Sequence, residues 1–107
     1  MALTLELVDH RIKFADDVRA LDIFKIGSYT VNRVTVHERG KLVWSNVTVF
    51  SKSDYAPEIQ YDDWSDKKQF KIQTTAYGAL DAEEIKKVIA GYEEALEVVK
   101  VLTEKFC

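Results

Sequence analysis

Leu3, Leu5 and Leu7 alternate with Thr4 and Glu6, and this period-2 pattern predicts a half-buried β-strand at the start of the chain. Ile12 and Phe14 resume the alternation with opposite parity, so a bulge or bend is expected near Asp9-His10. Residues 15–21 are short and polar and read as a turn of helix or a loop, with Asp16 or Asp17 available as a cap. Phe24 and Ile26 predict a short edge strand ending at Gly27. Two β-rich runs, SYTVNRVTVHE and KLVWSNVTVFSKS, flank Arg39-Gly40 and predict a hairpin. A tight turn at those residues sets Val36 opposite Val43, Val34 opposite Ser45 and Thr30 opposite Val49 on one face. The other face pairs His37 with Leu42, Thr35 with Trp44, Arg33 with Asn46 and Tyr29 with Phe50. Both faces then carry apolar residues, as expected of a central hairpin covered in part on both sides.

Residues 53–68 hold the single proline and the densest acids, and they read as a long loop with an edge segment at 59–61. Phe70, Ile72, Thr74 and Ala76 alternate with polar neighbours and predict a further strand, which Gly78 breaks. Asp81 then opens a helix. Asp81-Ala82-Glu83-Glu84 has capping-box spacing, in which Asp81 accepts from first-turn amides while Glu84 reaches back. Ile85, Val88, Tyr92, Ala95, Val99, Leu102 and Phe106 repeat at 3,4 spacing, widened by Ile89 and Leu96, so a helix is expected over 82–105. Strands followed by one helix give an α+β domain: an antiparallel sheet of about four to five strands with one long C-terminal helix packed on one face. No repeat or linker divides the 107 residues, and a single domain spanning 1–107 is expected.

Composition narrows the class. Twelve aromatics (five Phe, five Tyr, two Trp) and many β-branched residues exclude a disordered chain. No apolar run approaches the roughly 20 residues of a membrane helix, and MALTLELVDH lacks the basic start and apolar block of a signal peptide. A lone Cys107 excludes an internal disulfide framework and a zinc knuckle. The expectation is a soluble cytoplasmic domain with no membrane partner.

Net charge is −3, and its distribution is uneven. Residues 23–52 carry five bases (Lys25, Arg33, Arg39, Lys41, Lys52) and one acid, Glu38, whereas Asp54, Glu58, Asp62, Asp63 and Asp66 follow with no base among them. Two readings compete. The stretches neutralise each other in the fold, or they polarise the surface and steer a charged partner.

Catalytic signatures are missing from the sequence: it contains no GxGxxG, GxxxxGK[ST], HExxH, CxxC or GxSxG. The histidines are His10 and His37, and His37 beside Arg39 reads as a surface residue. Cys107 lies where a helix end frays, with no neighbour placed to activate it. YDDWSD lacks the glycine and alternating ligands of a calcium loop, so no metal site is expected, and no cofactor is implied.

Binding residues are easier to name. Tyr55, Tyr61 and Trp64 lie among the loop acids, where they either pin the loop to the core edge or form an acidic, aromatic recognition loop. Arg33 and Trp44 belong to a predicted hairpin face with Tyr29, His37 and Phe50, an interleaving that fills a core or stacks bases and contacts phosphates. Part of the helix stripe, with Val98 and Val101 beside it, leaves room for a homodimer through the C-terminal helix.

The segment QTTAYGALDAEEIKKVIAGYEEALEVVKVLTEKF, residues 73–106, resembles the C-terminal end of small uncharacterised proteins carried by prophages and other mobile elements of Gram-positive bacteria. It covers about a third of the chain. The resemblance implies a bacterial, cytoplasmic accessory protein and carries over no activity and no functional residues. The expected function is therefore non-catalytic: a small binding or adaptor protein acting on a macromolecule, most often a protein. The alternative is a nucleic-acid binder using the basic hairpin 28–52.

Overall fold

The computed structural model describes residues 3–14, 18–62 and 68–107. Six strands precede one helix: β1 (Glu6–Phe14), β2 (Val18–Ile26), β3 (Tyr29–Glu38), β4 (Lys41–Ser51), β5 (Ile59–Asp62), β6 (Gln69–Ile72) and α1 (Ala82–Phe106). The strands form one antiparallel meander in sequence order. The α+β class stands, with six strands rather than four to five. The short strand expected at Phe24 and Ile26 is longer than that: residues 18–21, in the segment read as loop or helix, belong to β2 and pair with both β1 and β3. Partners on both sides supply the backbone bonds that the polar local sequence does not advertise. For the same reason Phe24 and Ile26 lie in an interior strand, and β5 is flanked by β4 and β6 instead of forming an edge. The strand expected over 70–76 ends at Ile72.

The β3–β4 turn is as tight as expected: Arg39 (φ 52°) and Gly40 (φ 79°) both adopt the left-handed conformation of a type I′ turn. His37 faces Leu42, but a bulge at Val43 then brings Val36 opposite Trp44. From there the register runs one residue away from the simple hairpin, and every more distant β4 side chain changes its partner face. Tyr29, Val31, Arg33 and Thr35 now share a face with Ser51, Val49, Val47 and Ser45. Thr30, Asn32, Val34 and Val36 share the other with Phe50, Thr48, Asn46 and Trp44. The physical gain is one apolar layer: Val47 and Val49 join Tyr29 and Val31 beneath the helix. A second register shift, between Leu7 and Asp9, accounts for the parity change in β1.

Helix α1 begins with the expected capping box. The Glu84 amide donates to Asp81 Oδ1 at 2.8 Å, and the Asp81 amide donates to Glu84 Oε1 at 3.3 Å. Ala95, Val98 and Leu102 are buried against Phe24, Ile26, Val31, Val49, Ile59 and Phe70 of the sheet. The buried line lies in the C-terminal half of the helix, so Val98 is core rather than free for a second copy, while Ile85, Ile89 and Leu96 are exposed. The N-terminal half is held by the loop after β4. There Gly91 lets the helix approach the Tyr55 carbonyl and Pro57 so closely that a Cβ would overlap that carbonyl oxygen. The molecule measures 56 × 30 × 23 Å, and α1 is about 37 Å long, so much of the sheet extends past the helix.

Candidate functional site

At its C-terminal end α1 stops over a polar row of the sheet. Register places His10, Asp22, Arg33 and Val47 side by side on the helix-facing surface of β1, β2, β3 and β4. Asp22 therefore has two candidate partners, His10 and Arg33, one on each side. It takes His10, bonding through Oδ1 to the imidazole Nδ1. A carboxylate only accepts, so this contact places the imidazole proton on Nδ1. Arg33 turns instead onto the aromatic end of the helix, its guanidinium carbon 5.4 Å from the Phe106 ring centroid. Phe106 is itself set edge-on against Phe24 at 5.6 Å.

Asp22 and Arg33 floor a groove of about 600 Å³ whose apolar walls come from Leu5, Leu7, Phe24 and Val101, with Glu104 and Lys105 at the helix rim. That volume is in the range of small-ligand sites. Arg33, a sequence candidate, is thus inside this groove. His10 and Asp22 were not legible as a pair, because pairing them requires β2 to be a strand.

The remaining candidates are dispersed. Tyr55 is half-buried against Tyr77 (5.9 Å between ring centroids), with its hydroxyl donating to Glu84 Oε2 at 3.3 Å. Partial burial and the Glu84 carboxylate push its pKa up. Lys87 Nζ lies 5.8 Å from the same ring, so Tyr55 pins the loop to the helix N-terminus. Tyr61 stacks on Phe70 at 5.0 Å and borders the core. Trp64 lies outside the described residues. Trp44 is 52% exposed, on the opposite face of the sheet from Arg33. The expected joint face of Arg33, Trp44 and Phe50 therefore does not form, because the Val43 bulge separates it into two.

No family model, curated protein or solved structure matches the chain. Among the described residues no helix is long and apolar enough to cross a membrane.

A second feature lies beyond the polar row. There the sheet runs on past the end of α1, and its strands carry Ile12, Val18, Leu42, Val43 and Trp44, all exposed. Ile12, Val18 and Leu42 belong to the helix-side surface, and Trp44 to the outer one, beside Val36. Exposed apolar side chains therefore lie on both surfaces of this projecting end, around the buried Thr35 and Val36.

Proposed function

We propose that this chain is a non-catalytic binding protein that docks a protein partner on the projecting end of its sheet, with Trp44 as an aromatic anchor. The observation that carries this reading is the clustering of five exposed large apolar side chains at one end of the molecule. Scattered exposed apolar residues need no explanation, but exposed apolar side chains gathered at one end of a sheet, a tryptophan among them, have the composition of an interface core. Among the described residues its rim carries Lys13, Arg19, Arg39 and Lys41 against Glu38. Like-charged rims repel in a self-complementary contact, so the charge favours an acidic partner over a second copy. The resemblance of residues 73–106 to prophage-borne proteins is in keeping with an accessory role of this kind.

The test is affinity capture from bacterial lysate with and without nuclease treatment, followed by reconstitution with the purified captured protein. Trp44→Ala and Leu42→Glu should each weaken that complex by about tenfold or more, in line with loss of an interface anchor. Recovery of nucleic acid with a steep loss of binding in salt would replace the protein reading. A dimer that Leu42→Glu disperses would reassign the end to self-association.

A further inference from the structure

We infer that the groove at the C-terminal end of α1 is a binding site for a small amphipathic carboxylate, with Arg33 holding the carboxylate and the apolar walls holding the body of the ligand. This inference stands apart from the docking of a protein at the sheet's projecting end. It starts from the imbalance in the polar row. Asp22 sits between His10 and Arg33 in the register, and a cross-strand Asp–Arg pair would be the ordinary outcome. Instead Asp22 is engaged by His10, and Arg33 rests on the Phe106 ring with no carboxylate at ion-pair distance among the described residues.

A guanidinium presents five donors in a planar fork, and the ring face satisfies its charge but none of those donors. The fork is therefore prepared for a carboxylate, which it can bind through two parallel bonds. Leu5, Leu7, Phe24 and Val101 line the groove with hydrocarbon beside Glu104 and Lys105, and its volume of about 600 Å³ accommodates a ligand with an apolar body. His10 acts as a positioning residue. By engaging Asp22 it keeps the chain's own carboxylate off Arg33.

Octanoate, octanol and octylammonium are suitable probes, followed by calorimetry and by amide and Arg Nε shifts in NMR spectra. Octanoate should shift Arg33, Leu7, Phe24 and Val101 and bind about tenfold or more tightly than the other two. Arg33→Met should remove that preference, while Arg33→Lys, which keeps the charge without the fork, should retain part of it. His10→Gln frees Asp22 to cross to Arg33 and should weaken octanoate several-fold. Adding Asp22→Asn to that variant should restore binding. Equal binding of octanol, absence of binding by octanoate, an unchanged preference in Arg33→Met, or a double variant weaker than His10→Gln alone each overturns the inference.

Discussion

Tyr29 shows how one buried polar group ties stability to pH. Its side chain is 1% exposed, and its hydroxyl donates to the Pro57 carbonyl oxygen at 2.5 Å. Burial, and then the Glu94 carboxylate, pushes its pKa up from 10.0 to about 12. Between those values the unfolded chain has released the proton and the folded chain still holds it. Fewer protons are then bound in the unfolded state, and stability falls as pH rises. The contribution of Tyr29 is thus intact below about pH 10 and gone above about pH 12, a loss on the order of 1–2 kcal/mol after allowance for solvent screening. Tyr29→Phe should cost about 1 kcal/mol at neutral pH and flatten the alkaline decline. Parallel melting profiles for the two proteins between about pH 9 and 12 would contradict this account. At the hairpin turn, Arg39 occupies a left-handed position that asparagine adopts more readily. Arg39→Asn should add about 0.5 kcal/mol, read as a rise of a few degrees in Tm.

Helix α1 is positioned from both ends by different means. Its N-terminal half is fastened by the capping box, the Tyr55–Glu84 bond and the close approach at Gly91. Its C-terminal half is fastened by burial of Ala95, Val98 and Leu102. Propensity alone predicts that Gly91→Ala stabilises a helix interior by up to about 1 kcal/mol. Here the added methyl would overlap the Tyr55 carbonyl oxygen, with Pro57 Cδ only 3.6 Å away, and backbone cannot yield as a side chain does. The variant should therefore be destabilised by about 1–3 kcal/mol in denaturant titration, and an increase in stability would show that the loop does not seat on the helix. Leu96→Glu, on the exposed side of the same helix, should change stability by less than about 0.5 kcal/mol.

For the whole molecule the decisive asymmetry is a long sheet covered by a helix at one end. The described core gathers around Phe24, Val31, Val49, Ile59 and Leu102, and the exposed apolar side chains of the projecting strands lie outside it. Local stability should follow that gradient. Amides of Val31, Val49 and Leu102 are expected to exchange with the slowest, global rate. Those of Ala20, Val36 and Trp44 should exchange at least about tenfold faster until a partner covers them. Uniform protection along β3 would mean that the projecting end is as firmly packed as the covered one, and the case for a docking surface there would weaken.

The local sequence was sufficient wherever a signal is complete within a few residues. Asp81 and Glu84 carry the capping box in themselves, the 3,4 apolar repeat carries the helix, and Arg39-Gly40 between β-branched runs carries the hairpin. Parity loss between Leu7 and Ile12 likewise announced the first bulge. Tertiary structure decided what depends on partners distant along the chain. Residues 18–21 became strand because β1 and β3 flank them. The bulge at Val43 left no mark on the local pattern, because residues on both sides of it are apolar, and it arises where Val47 and Val49 can be brought beneath α1. That one-residue shift sent Arg33 and Trp44 to opposite faces and so divided what the sequence had grouped. The His10–Asp22–Arg33 row follows from the same pairing. Its members are separated along the chain, and only the register of three strands makes them neighbours.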